Sequence, residues 1–170
     1  MDSAACVAFY KASSSLVNAI FIDYGQPAAK WESGAAKAVA AQYSIELHSV
    51  TCSGLAVSPL EDVPGRNAFF YFLALMQGGS RPRLISSGIH AGTVHYDCST
   101  DFIERVDSLI RRYTHDCVRA AAPFVTWSKS EIAEFCRSAG VPIAFTRSCD
   151  AVSAEPCGRC TSCLDRARLI

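Results

Sequence analysis

The sequence has no excess of charge of either sign: 16 Lys and Arg stand against 16 Asp and Glu. Such a chain offers no bulk electrostatic attraction to nucleic acid or to anionic lipid, so neither is an expected partner. It has no long hydrophobic run. The longest, residues 68–76, is about half of the roughly 20 residues that a membrane-spanning helix needs. Its first residues carry no basic flank and no cleavage signal, so secretion is not expected. Internal repeats and low-complexity linkers are absent too. Disorder is excluded by a composition that is 50% hydrophobic and 19% charged. What is left is a 170-residue chain, long enough for one domain of ordinary size with a core of its own.

Cysteine, by contrast, is plentiful, with nine residues. An odd number cannot pair off completely. A chain this apolar does not need covalent staples, and no secretory signal leads it to an oxidising compartment. The thiols are therefore expected to be reduced and the chain cytoplasmic.

Hydrophobic patterning alternates between helical and extended segments. Residues 2–11, 27–43, 67–77 and 99–119 read as helices, and 18–24, 45–51, 83–89 and 124–127 as strands. Residues 52–64 form a loop with Gly and Pro punctuation. Ser128-Lys129-Ser130-Glu131 is a capping box that opens a further helix, closed by Gly140 and Pro142. A last short helix begins near Thr161. The strands are apolar runs rather than two-faced patterns. That predicts an α/β fold, a parallel sheet with helices on both faces, whose ligands bind beyond the carboxyl ends of the strands.

Four cysteines crowd the C-terminus: Cys149, Cys157, Cys160 and Cys163. Thiolates are soft donors, and four of them suit tetrahedral zinc. Two overlapping C-x2-C steps allow a tight turn to present successive sulfurs to one ion, with Gly158 relieving the turn and Pro156 stiffening its entry. Two disulfides, or four unrelated buried thiols, are the plain alternatives, and an iron–sulfur cluster is a third. Zinc is the preferred reading, and a four-thiolate set leaves no open position, so the ion is expected to be structural. Among the other cysteines, Cys6, Cys117 and Cys136 fall in helical patterns and read as small core residues.

Several segments, taken in order, resemble a known family. Met1-Asp2-Ser3 is similar to the end of the S-G-G-x-D-S loop of PP-loop ATP pyrophosphatases. Phe21-Ile22-Asp23-Tyr24-Gly25-Gln26, Val63-Pro64-Gly65-Arg66-Asn67, Tyr96-Asp97-Cys98, the Ser128 box and Pro156-Cys157-Gly158-Arg159-Cys160 follow. Together they resemble the QueC-type 7-cyano-7-deazaguanine synthase family. The V-P-G-R-N run and the four-cysteine tail are the most specific parts. The resemblance implies one adenine nucleotide alpha hydrolase-like, PP-loop domain over residues 1–170, with a zinc-binding segment at 145–170.

It further implies a ligase that uses ATP and Mg²⁺ to activate the carboxylate of 7-carboxy-7-deazaguanine. An acyl-adenylate forms, ammonia turns it into the amide, and a second activation gives the nitrile. Asp2 and Ser3 would hold Mg²⁺ and phosphate; an ordinary acidic N-cap is the alternative for Asp2. Tyr24, Gln26, Gly65, Arg66, Asn67 and Gly88 complete the nucleotide set. Arg66 and Lys129 would offset charge on the leaving pyrophosphate. Tyr96, Asp97 and Cys98 match the substrate loop, with Asp97 accepting from the guanine-like edge. Taken singly, Asn67 reads as a helix cap, Tyr24 and Gln26 as a turn, and His90 and His95 as surface or satisfied histidines.

The chain departs from the family pattern in several places. Ser-Gly-Gly and the strand before it do not precede Asp2, Pro27-Ala28-Ala29 replaces basic residues, and the substrate loop is only partly kept as residues 93–98. The missing strand leaves a sheet edge that a homodimer or another chain would cover. Two other readings compete: a non-catalytic relative that binds a nucleotide or partner, favoured by the truncated loop, and another PP-loop enzyme such as a tRNA-modifying one, disfavoured by neutral charge.

Overall fold

The computed structural model describes residues 1–55, 63–79 and 81–170. Part of the loop expected at 52–64 therefore lies outside the described residues. The chain divides into two compact units. One comprises Met1, Ser3–Val63 and Ala133–Ile170, the other Asp2 and Pro64–Ile132.

In the first unit, α1 (Asp2–Ala12) leads into β1 (Asn18–Asp23), α2 (Ala29–Tyr43) and β2 (Glu46–Thr51). The two strands pair in parallel, from Asn18 opposite Glu46 to Asp23 opposite Thr51. Parallel pairing requires a crossover, and the alanine-rich α2 supplies it. It begins two residues after Pro27 and ends at Ser44 in the left-handed region, φ 51°. α1 buries Ala4, Ala5, Cys6 and Ala8.

The second unit runs through α3 (Arg66–Gly78), β3 (Leu84–Ser86), α4 (Thr100–Tyr113) and β4 (Arg119–Ala121). β3 and β4 are again parallel, with Leu84 opposite Arg119 and Ser86 opposite Ala121. α4 places Phe102, Val106 and Ile110 four residues apart on one buried stripe. They join Tyr71, Ile89, Val118, Ala120 and Ala122 in one core. The buried Tyr71 hydroxyl donates to the Ala121 carbonyl at 2.7 Å and lies 2.7 Å from Ser87 Oγ, so α3 is tied to both strands. α5 (Lys129–Ser138) and α6 (Thr161–Leu169) complete the chain. No helix among the described residues is long and apolar enough to cross a membrane.

The alternation of helices and parallel strands is as the pattern predicts. Among the described residues these parallel strands form two pairs, β1 with β2 and β3 with β4. Two expectations need correction. The fourth strand is not at 124–127, which is a turn after β4; Phe124 is buried there as a plug, its ring tilted 53° to that of Trp127 with the centroids 5.1 Å apart. The helix expected over 99–119 stops at Tyr113, because His115 and Asp116 both adopt positive φ, 51° and 63°. That conformation cannot continue a right-handed helix, and Cys117, expected in a helical core, is exposed in the turn.

Asp107 shows how α4 is fastened to β4. Its carboxylate takes Nε and Nη2 of Arg119 at 2.9 and 2.8 Å and the N–H of Ala120 at 2.8 Å. Burial alone would raise its pKa, but the Arg119 guanidinium and the Ala120 N–H outweigh that and hold it below the ordinary carboxylate value. Its contribution is complete above the unfolded pKa near ~3.9 and is lost as pH falls through the lower folded value. Asp107→Asn is expected to cost about 2 kcal/mol at pH 7. In urea titrations the gap from the parent should close as the pH drops below about 4.

Candidate metal centre and nucleotide-facing site

The four C-terminal cysteines converge. Their Sγ atoms all lie within 4.8 Å of one another, and Cys157 and Cys163 are 4.0 Å apart. A tetrahedral zinc with bonds of ~2.3 Å spaces its sulfurs about 3.8 Å apart, so the donor set fits that ion closely. Cys149 and Cys163 are buried and the other two half-buried. None of the nine cysteines is in a disulfide.

The local backbone explains the convergence. Gly158 sits at φ 71°, which lets the chain turn back so that the N–H groups of Arg159 and Cys160 face Cys157, the latter at 3.4 Å. These donors pull the Cys157 thiol down to about 6. Cys149 is pushed up by burial, but N–H groups of Cys157 and Ala151, at 3.3 and 3.4 Å, outweigh it and lower its pKa. Burial pushes Cys163 up to about 12. Such a cluster needs a cation before all four sulfurs can be thiolates together.

Two arginines, which the sequence reading passed over, hold this segment in place. Arg166 on α6 donates to the carbonyls of Thr146 and Ile143 at 3.1 and 2.7 Å. Arg147 donates to four carbonyls of residues 149–154. An arginine inside an irregular segment rich in otherwise unpaired carbonyls was the available signal.

The expected nucleotide and substrate residues fall into small groups. In the second unit, Asn67 Nδ2 donates to the Asp97 carbonyl at 3.1 Å and reaches Cys98 Sγ at 3.8 Å, while its backbone N–H faces Asp97 Oδ2 at 3.4 Å. The N-cap of α3 is Gly65, without a side chain to offer. Asp97 therefore serves the first turn of α3 from a distant loop, and Asn67 is a bracket rather than the cap. Arg66 is exposed beside it. Tyr96 is exposed and donates to Asp101 at 2.9 Å.

Asp2 and Gly88 also meet. A Cβ at Gly88 would fall 2.7 Å from the Asp2 carbonyl carbon, so only glycine allows this approach. Asp2 Oδ1 is buried without a hydrogen-bond partner, as is the Ser86 hydroxyl in the same unit. An ionised oxygen is costly to leave so, and an orphaned buried carboxylate oxygen fits a cation such as Mg²⁺ beside phosphate. Asp2 lies in the first turn of α1 and makes no capping bond; Ser3 is exposed.

Lys129 is the first residue of α5. The capping box forms as its sequence implies: Ser128 N–H and Oγ both donate to Glu131, and Glu131 N–H faces Ser128 Oγ at 3.3 Å. His90 is buried, and its Nδ1 accepts from the Gly92 N–H at 3.0 Å, a satisfied histidine. In the first unit, Gln26 spends its amide on its own turn. It accepts from Tyr24 N–H at 2.9 Å and donates to the Ile22 carbonyl and to Glu32.

The sequence model of the family described as queuosine biosynthesis protein QueC matches residues 54–169. The 7-cyano-7-deazaguanine synthase of Leptospira biflexa serovar Patoc (strain Patoc 1 / Ames) is 34% identical over 117 residues, 62% of this chain. That match spans about half of the relative's length, 47%. The protein of the same name from Synechococcus sp. (strain CC9902) is 31% identical across 96% of this chain and 85% of its own. The one from Methanothermobacter thermautotrophicus is 29% identical across 99% and 89%.

Proposed function

We propose, from the premise that this chain belongs to the QueC family, that it converts 7-carboxy-7-deazaguanine into 7-cyano-7-deazaguanine at the expense of ATP. The substrate carboxylate oxygen attacks the α-phosphorus, the bond to the β-phosphate breaks, and pyrophosphate leaves. Ammonia attacks the acyl carbon, and AMP departs to leave the amide. The amide oxygen then takes a second adenylyl group, with loss of another pyrophosphate. Departure of AMP and two protons leaves the nitrile.

The observation that carries this reading is the partnerless, buried Oδ1 of Asp2 against Gly88. In this reading Asp2 holds Mg²⁺, which offsets charge on the pyrophosphate, and Ser3 donates to a phosphate oxygen. Arg66 and Lys129 are the cations that face the leaving group. Lys129, at the start of α5, sits where a lysine works against the helix dipole, a position that an anion would reward. Tyr96, Asp97 and Cys98 border the deazapurine. The Asp97 carboxylate accepts one weak bond from the Asn67 N–H and keeps acceptor capacity for the guanine-like edge. The four cysteines hold a structural zinc, in the reducing cytoplasm that free thiols require.

Incubation of the purified protein with ATP, Mg²⁺, 7-carboxy-7-deazaguanine and ammonia tests it. Pyrophosphate release that depends on the deazapurine, with the nitrile found by mass spectrometry, is the expected result. Binding of ATP with no pyrophosphate release would instead favour a nucleotide-binding protein without turnover.

A further inference from the structure

Arg147 stands two residues before the first of the four clustered cysteines. Its half-buried guanidinium makes four hydrogen bonds, all to backbone carbonyls. Nε donates to Cys149 at 3.1 Å, Nη1 to Ala154 at 2.8 Å, and Nη2 to Ala151 and Ser153 at 2.9 and 2.8 Å. Residues 149–154 are thus wound round one planar cation. They belong to no helix or strand, so those carbonyls have no ladder to join.

The same loop sets up Cys149. It directs the Ala151 N–H at its sulfur from 3.4 Å. Cys149 is also the ligand with the longest tether, seven residues from Cys157, whereas two separate each later pair. Closing the longest loop carries the largest entropic cost. Cys149 is therefore the donor most easily lost if the loop is free to wander.

We propose that Arg147 is a positioning residue for the metal centre. By fixing the 149–154 loop it holds Cys149 in place as the fourth donor, and so sets both affinity and coordination number. This rests on the reading of the four cysteines as a zinc site. Arg147 is not itself a ligand and acts through Cys149. Lysine cannot replace it. Its three donors radiate from one point, whereas the guanidinium fork reaches four carbonyls at once.

The test uses the full chain and four variants: Arg147→Lys, Arg147→Ala, Cys149→Ser and Arg137→Ala. Arg137 is the control, because it donates to the Leu169 carbonyl in the same C-terminal region and to Glu134, and to no residue of the 149–154 loop. Zinc affinity is read by chelator competition. Coordination is read by cobalt(II) absorption, whose thiolate charge-transfer intensity follows the number of bound thiolates. Both Arg147 variants should bind zinc about 10- to 100-fold more weakly than the parent, the range typical of lost outer-shell partners. Their cobalt spectra should approach that of Cys149→Ser, while Arg137→Ala behaves as the parent. If Arg147→Ala does not fold, Arg147→Lys decides. Parental affinity and a four-thiolate spectrum in Arg147→Lys would overturn the inference. So would an equal loss in Arg137→Ala, which would mark a general loosening of the tail. A parent chain that takes up neither metal through four thiolates overturns the zinc reading itself, a result distinct from both.

Discussion

Chelation of the purified protein at neutral pH is expected to release one zinc per chain and to melt the C-terminal segment. α6 has nine residues, and its N-cap, Cys160, makes no side-chain capping bond. Helices this short are marginal alone in water. What orders α6 is Cys163 in the cluster and the Arg166 bonds to Thr146 and Ile143. Without the ion, four sulfurs within 4.8 Å cannot all stay charged, and the buried thiols must take up protons. The loss should lower the melting temperature by about 10 °C, equivalent to about 3–5 kcal/mol for a chain of this size. Helical ellipticity should fall with it, and zinc should restore both. Because protons compete for the same sulfurs, zinc should also be surrendered more readily at pH 6 than at pH 8. An unchanged melting curve after complete metal removal would speak against a structural ion.

Asp2→Asn is expected to cut turnover steeply while leaving the fold intact or firmer. A buried carboxylate oxygen without a partner is a cost to the folded state. Removing its charge should therefore raise stability slightly, by up to about 1 kcal/mol. If Asp2 holds Mg²⁺ beside the phosphates, deazapurine-dependent pyrophosphate release should fall at least about 100-fold, the scale of losing one major electrostatic contact in a transition state. Gain of stability with loss of activity separates a functional acid from an ordinary first-turn acid. Stability and pyrophosphate release that both stay at the parental level would return Asp2 to that ordinary role.

Much of the fold could be read because its signals are local. β1 announces itself as an apolar run and β2 by its alternation, and the Ser128 box forms with the bonds that its spacing implies. The four-cysteine cluster was legible because cysteine spacing carries both the sulfurs and the turn between them. What escaped depends on distant partners. β4 is Arg-Ala-Ala, too short and too small to outweigh the aromatic 124–127 run, and becomes a strand only beside β3. The end of α4 rests on positive φ at His115 and Asp116, which in neither residue type is signposted as it would be at glycine. Arg147 and Arg166 find carbonyls, and carbonyls are identical at every position of a sequence. For the same reason Asp97 reads as a free loop acid until Asn67 is beside it.

That pairing has a dynamic corollary. The first turn of α3 draws its missing acceptor from a loop thirty residues away, so it has no capped state of its own. The start of α3 and the turn at Tyr96–Cys98 therefore open together. Amide hydrogens at Asn67 and Cys98 should exchange with one common opening free energy, lower than that of the Tyr71 region behind them. The start of α3 and the Tyr96–Cys98 turn would then be one cooperative flap, set ajar or shut by a single bracket between Asn67 and Asp97.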